Sequence, residues 1–297
     1  MALKETISIL GGDTRQLSLA AKIAGEGFRT RAYGLPADRL PPGVEHCADW
    51  RSLISGASVV VLPLPASPDG RHVHFPLVPE ADAPLITELF DAVERSTLIT
   101  GGKFSPAVKA LAEERGIRLF DYFESEELQL KNALPTAEGA VSLLMREIPR
   151  TVSGLPVAVT GYGRVARALC DLLLAMGADV TVAARKKEDM LRAGARGCHT
   201  VHLTGERSIF ALCHGQAVIF NTVPYWLFSR EVLSEMSRDT LIIDLASAPG
   251  GVDADAAGCS GIRVIFALSL PGKYAPVTAG EIIADTVLSY IRKEGIV

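Results

Sequence analysis

Apolar and polar residues follow two rhythms along this chain. Short runs of Val, Ile and Leu recur, and most are followed by a stretch in which apolar residues return every three or four positions. This predicts strands and helices taking turns, the signature of parallel α/β architecture. In the first half, strands are expected at 6–10, 29–33, 58–64, 97–100 and 117–120, with helices at about 16–26 and 106–115. The run 58–64 is apolar after Ser58, as suits a strand covered on both faces. The second half gives strands at 156–160, 179–184, 217–221, 240–245 and 263–267, a helix at about 165–176 and a last helix at about 279–292. Between the halves a helix is expected over 139–148, with Thr136 as its N-cap and Glu138 favouring the positive helix end. The predicted fold class is α/β, with two Rossmann-like doubly wound parallel-sheet domains separated by a cleft. Residues 1–134 form a substrate and catalytic domain, and 135–150 the interdomain helix. Residues 151–276 form a dinucleotide-binding domain, and 277–297 a C-terminal helix returning to the first domain.

Composition narrows the function classes. A chain of 297 residues with 48% hydrophobic and 22% charged residues can bury large cores without staples. The net charge of -4 gives no electrostatic reason to expect nucleic acid. Cys47, Cys170, Cys198, Cys213 and Cys259 show no CxxC spacing, so reduced thiols are expected rather than disulfides or a zinc site. The first ten residues carry Lys4 and Glu5 and lack a secretory apolar core, and no apolar run reaches the ~18 residues of a membrane span. A soluble, cytoplasmic protein without nucleic-acid or membrane partners is expected. The histidines show no metal-ligand spacing, and GxSxG, Walker A and HExxH are absent, so no metal site or hydrolase centre is expected.

The chemistry-bearing motif follows the strand 156–160. Gly161-Tyr162-Gly163-Arg164-Val165-Ala166 reads GxGxxA, placed between a strand and a helix as dinucleotide binding requires. Gly161 permits the tight turn, Gly163 lets a pyrophosphate approach the backbone, and Ala166 lets helix and strand pack closely. NAD binders carry an Asp or Glu about 20 residues on, for the ribose 2′-hydroxyl. This chain has Ala184-Arg185-Lys186-Lys187 there, so the expected cofactor is NADP, with Arg185 stacking on the adenine or pairing with the 2′-phosphate and Lys186 or Lys187 adding charge; the same cations also suit a solvated helix start. Asn221-Thr222-Val223-Pro224 and Asp244-Leu245-Ala246-Ser247 follow later strands. Asn221, Thr222, Val223, Pro224, Asp244, Ala246 and Ser247 are expected beside the nicotinamide and its ribose. The same Asn-Thr and Asp residues also suit helix capping.

Three loops in the first half suggest an anionic small substrate. Gly11-Gly12-Asp13-Thr14-Arg15 places a cation after the first strand, Ser67 follows 58–64, and Gly101-Gly102-Lys103 brings an ammonium with free backbone donors. Each loop also reads as an ordinary turn.

The ordered motifs, from Gly11-Gly12-Asp13-Thr14-Arg15 through Pro135-Thr136-Ala137-Glu138-Gly139-Ala140 and Asp244-Leu245-Ala246-Ser247-Ala248-Pro249-Gly250-Gly251 to the stretch from Leu270 to Gly280, resemble the family of dipicolinate synthase A subunits over nearly the whole chain. Tyr162 and Tyr274 depart modestly from that pattern. The resemblance implies NADP-dependent oxidation of dihydrodipicolinate, or its hydrated tetrahydro precursor, to pyridine-2,6-dicarboxylate. It also implies the mother-cell cytoplasm of a spore-forming bacterium, and the dipicolinate synthase B subunit as partner. A homo-oligomer is expected too. Such a substrate needs clamps for two carboxylates. Arg15, Lys103 and Lys273 are expected to supply them, with Ser67 and Thr278 donating hydrogen bonds and Glu127 or Glu138 accepting the proton. An alanine-dehydrogenase-like or 2-hydroxyacid-dehydrogenase-like enzyme, and a non-catalytic NADP-binding regulatory module, are the competing readings.

Overall fold

The computed structural model describes residues 5–79 and 81–296, so Lys4 of the N-terminal reading lies outside the described residues. The chain divides into two units, Met1–Asn132 with Ala275–Val297, and Ala133–Tyr274.

The first unit holds β1 (Thr6–Leu10), β2 (Arg29–Tyr33), β3 (Val44–His46), β4 (Val59–Val61), β5 (Leu98–Gly101) and β6 (Arg118–Asp121). They form one parallel sheet in the order β3-β2-β1-β4-β5-β6. The second unit holds β7 (Pro156–Thr160), β8 (Asp179–Ala184), β9 (His199–His202), β10 (Val218–Asn221), β11 (Leu241–Asp244) and β12 (Arg263–Phe266), ordered β12-β11-β10-β7-β8-β9 and again all parallel. Both are the doubly wound order 3-2-1-4-5-6, the second read from its other edge. Central strands are apolar on both faces, with Val59, Val60, Val61, Val157, Ala158, Val159, Val218, Ile219 and Phe220 all excluded from solvent. The edge strands β3 and β9 carry polar, largely exposed residues and no apolar run, so periodicity gives no sign of them. The run expected over 58–64 pairs only from Val59 to Val61, because Pro63 and Pro65 bring no N–H to a ladder.

Helix α1 (Thr14–Gly25) follows β1. Helix α2 (Glu126–Glu147) is longer than the sequence pattern suggests and contains Pro135, so Thr136 lies inside it rather than at its N-cap. Ser125 takes the capping role, its hydroxyl accepting from Leu128 N at 3.4 Å, with Glu126 and Glu127 in the first turn. The missing Pro135 N–H costs one helical bond, while Ala137, Ala140 and Leu144 bury one face completely. In the second unit follow α3 (Arg164–Ala175), α4 (Lys187–Ala195) and α5 (Glu206–Cys213). The last helix, α6 (Pro276–Lys293), packs against α1 within the first unit and buries Ile283, Ala284, Val287 and Ile291. Its Gly280 is forced by that packing, since a β-carbon there would lie 2.2 Å from the Arg15 carbonyl. Among the described residues, no helix is long and apolar enough to cross a membrane.

Candidate functional site

The loop after β7 sits at the topological switch point of the second sheet, where β7 neighbours β10 on one side and β8 on the other. Gly161 has φ +85°, and a β-carbon there would stand 2.7 Å from Thr222 Oγ1 and 2.9 Å from Val223 Cγ2. Both the left-handed backbone and the close approach of the next loop therefore require glycine. Gly163 has a different reason. Its backbone is unremarkable (φ -78°), and a β-carbon there would meet nothing within 4 Å. The space above it is open, it is the N-cap of α3, and no side chain caps that helix. A helix start with no side-chain cap and open space beside its N-cap leaves room for a phosphate. Ala166, fully buried, lets α3 press on the sheet. Tyr162 turns its ring into the core, leaving its backbone at the site; Arg167 Nε donates to the Tyr162 carbonyl at 2.9 Å and its guanidinium lies 5.4 Å from the ring centroid. Arg167 also reaches Asp189 on α4 at 3.3 Å, tying the loop to the end of β8. Arg164 and Val165 open α3 beside the loop.

The end of β8 borders a cavity of about 790 Å³ lined by Gly161, Ala184, Arg185, Lys186, Ile209 and Trp226 among others. Ala184 is buried at the sheet edge, whereas Arg185, Lys186 and Lys187 are exposed and form no ion pair among the described residues. His202 Nε2 donates to the Arg185 carbonyl at 3.0 Å, fixing the backbone of that basic turn. Leu203 to Glu206, leading into α5, and Val223 to Leu227 also line the cavity. Val223 and Pro224 thus line the pocket, and so do Asp189, Leu203, Thr204, Tyr225 and Trp226, which no sequence motif singles out. Only the position of Tyr225 and Trp226, directly after Asn221-Thr222-Val223-Pro224, could have pointed to them.

Asn221 and Asp244 do a different job from the one expected. Both are buried, and their polar atoms are spent inside the protein. Thr160 Oγ1 donates to Asn221 Oδ1 at 2.5 Å, and Asn221 Nδ2 donates to Asp244 Oδ1 at 2.8 Å and to the Val223 carbonyl at 3.1 Å. Asp244 also accepts from Ala246 N and Gly251 N, each at 3.0 Å. This network ties the carboxyl ends of β7, β10 and β11 together and sets the loops that follow. It is a foundation for the site rather than a contact surface, because a buried polar group with all its partners inside has none to offer a ligand. Thr222 likewise donates to the Thr160 carbonyl at 2.7 Å. Ala246 is buried and Ser247 exposed on the loop after β11.

The first-unit residues are brought to the carboxyl edge of their sheet with their charges largely matched. Arg15 is only 4% exposed; its Nε and Nη2 bind Asp13 at 2.9 and 2.7 Å, and Nη2 also donates to the Leu64 carbonyl. The sequence suggests a cation waiting for a substrate carboxylate, but Asp13, two residues away, already occupies that face. Ser67 donates to Asp69 Oδ1 at 3.1 Å. Lys103 is exposed, its ammonium 5.1 Å from the Phe123 ring centroid, in a strained turn (φ +57°) that Asp121 holds by accepting its backbone N–H at 3.0 Å. Thr278 is exposed near the start of α6, and Lys273, exposed, belongs to the second unit. Glu127 pairs with Lys131 at 2.7 Å on the solvent side of α2, the arrangement of a helix-surface ion pair rather than of a proton acceptor in a pocket. His74, which no sequence motif singles out, is half-buried beside Asp13, Arg15 and Asp69; burial holds its imidazole below the ordinary value of 6.5. Tyr274 packs on Gly139, and its hydroxyl accepts from Arg146 at 3.1 Å, so it serves the packing of the second unit.

A doubly wound sheet with an open glycine turn at its switch point, joined in one chain to a second domain of the same order, defines a two-domain protein of the dehydrogenase fold. A family model described as the N-terminal domain of the dipicolinate synthase A subunit matches residues 6–123. The dipicolinate synthase A subunit of Bacillus subtilis (strain 168) is 30% identical over 97% of this chain and 96% of its own length. The crystal structure of the corresponding protein from Bacillus halodurans superposes with a TM-score of 0.88 at 27% identity, covering 97% of this chain and 98% of the other. The Bacillus subtilis structure gives 0.85 at 28%, covering 99% of both. The chain belongs to the dipicolinate synthase A subunit family. An L-alanine dehydrogenase at 13% identity and a TM-score of 0.66, covering 96% of this chain and 88% of its own, shares the fold alone.

Proposed function

We propose that this protein is an NADP-dependent oxidoreductase that converts a dihydrodipicolinate-type ring to pyridine-2,6-dicarboxylate, working in the cytoplasm with a dipicolinate synthase B subunit. Family membership supports the substrate class. The observation that carries the cofactor is the end of β8, where a buried Ala184 replaces the carboxylate of an NAD site and exposed Arg185 and Lys186 follow. The open space at Gly163 and the uncapped start of α3 fit a pyrophosphate, and the cavity beside them fits the adenosine end of a dinucleotide.

When bound, NADP supplies the acceptor for a hydride. The balance is then simple: the ring loses a hydride and a proton and becomes aromatic. Aromatisation drives the step, so the protein's task is to position the ring and receive one proton. Lys103, its ammonium exposed and without an ion-pair partner among the described residues, is free to bind a substrate carboxylate, and Lys273 and Thr278 are likewise exposed. Each charge-assisted bond contributes about 1.5–3 kcal/mol. Arg15 acts through Asp13 and the Leu64 carbonyl, bracing the loop rather than gripping the substrate.

The test mixes purified protein, with and without the B subunit, with freshly generated dihydrodipicolinate and either NADP or NAD. Formation of reduced cofactor and pyridine product in equal amounts, with NADP preferred, is the expected result. Equal affinity for the two cofactors overturns the reading of the β8 terminus. Cofactor binding without turnover, even with the B subunit present, favours a regulatory role instead.

A further inference from the structure

Two large aromatic side chains stand out in water at the cavity mouth. Tyr225 is 68% exposed and Trp226 is 53% exposed, although both line the pocket. Their loop is not loose. Upstream it is anchored by Asn221, which accepts from Val223 N at 3.1 Å, and downstream Leu227 N and Phe228 N both donate to the Gly251 carbonyl, with the Phe228 ring fully buried. Gly251 itself is packed so closely that a β-carbon would fall 2.2 Å from Asn221 Nδ2. A tethered loop thus holds an indole half in solvent at a cavity that Leu203 and Ile209 also line. Exposed aromatic surface fixed beside an empty slot gains most when a flat ring fills that slot.

We propose that Trp226 is a base-reading residue of this pocket: its indole lies against the adenine of the bound dinucleotide, closing the adenosine end. The assignment rests on the pocket being the cofactor site. It divides labour between two loops, with Arg185 and Lys186 after β8 reading the 2′-phosphate and Trp226 after β10 reading the base. Stacking tolerates any purine and is insensitive to ribose phosphorylation, because it is made with the ring face.

Fragment binding separates these roles. Trp50 is 1% exposed, so quenching by an added nucleotide reports on Trp226. Titration with 2′,5′-ADP and with 5′-ADP is expected to quench the emission of the native protein and not that of Trp226→Phe. Trp226→Ala is expected to weaken both fragments by a similar factor, about tenfold, with Trp226→Phe within about threefold of native. Arg185→Ala is expected to weaken 2′,5′-ADP alone. If the native protein binds the fragments but Trp226→Ala binds them equally well, the proposal falls while the cofactor site stands. If the native protein binds neither fragment nor NADP, the cofactor reading falls and takes the proposal with it. If emission changes only on adding the B subunit, Trp226 belongs to a protein interface and the proposal is overturned.

Discussion

The two units repeat one plan with opposite outcomes at the same place. In each, the first strand runs into a glycine turn and a helix of 12 residues at the switch point of a 3-2-1-4-5-6 sheet. In the first unit the turn is filled by the protein itself. Asp13 caps α1, its carboxylate accepting from Arg15 N at 3.0 Å, and the Arg15 guanidinium covers it. A β-carbon on Gly11 would collide with Phe75 at 2.3 Å, and one on Gly12 with Gln16 at 2.7 Å. In the second unit Gly163 occupies the cap, offers no side chain and faces open space. One helix start carries its own anion; the other has no side-chain cap. A glycine-rich turn alone therefore does not define a phosphate site. The two turns differ in whether the cap position already holds a carboxylate.

The largest effect expected on this contrast comes from giving the second unit the first unit's solution. Gly163→Asp places a carboxylate at the open cap without a clash, since Gly163 has negative φ and no neighbour within 4 Å. Calorimetric titration is expected to show NADP affinity reduced by about a hundredfold or more, which is about 2.8 kcal/mol. Thermal stability should hold or rise by up to about 1 kcal/mol from the new cap. Normal binding in this variant would mean that phosphate does not enter here.

Removing the first unit's own anion tests the other half. Asp13→Ala leaves the buried Arg15 uncompensated and uncaps α1, and denaturant unfolding is expected to show a loss of about 3 kcal/mol. Asp13→Asn, which keeps a capping oxygen, should lose less.

Smaller effects sharpen the picture of the first unit as a strained and charged edge. Lys103→Gly relieves a left-handed backbone and is expected to raise stability by about 1 kcal/mol in a thermal melt, while weakening substrate binding. His74 contributes a pH dependence. Its folded-state value lies below 6.5, mainly through burial; Asp13 and Asp69 oppose that shift and Arg15 adds to it. The unfolded chain therefore binds the proton more readily, and this contribution is present above 6.5 and is lost as pH falls through that value. Unfolding measured across that window should show a shallower loss of stability in His74→Gln than in the native protein.

Much of this is legible in the sequence, and the limits have physical causes. Strands β1, β2, β7 and β8 have the expected bounds residue for residue; β1 and β7 are buried central strands rich in apolar residues, whereas β2 (Arg-Thr-Arg-Ala-Tyr) buries Thr30 and Arg31 as well. Edge strands β3 and β9 face solvent and carry no such pattern. The start of α2 escapes the pattern because Pro135 reads as a boundary, whereas burial of the residues around it carries the helix through. Asn221 and Asp244 illustrate a subtler limit. Their position after successive strands is visible from spacing, but the same polar residues suit either ligand contact or a buried brace, and only their neighbours decide.

The sequence by itself determined the α/β alternation, the glycine turn with its cations after β8, and the family, since these depend on local periodicity and on residues close together in the chain. Tertiary structure alone decided which charges are free. Arg15 and Lys103 are both cations after first-unit strands, yet one is sealed against Asp13 and the other stands open over a phenyl ring. Whether a charge serves a ligand or the fold is settled by burial and by groups distant in sequence, such as the Leu64 carbonyl that holds Arg15. Periodicity carries no record of those partners.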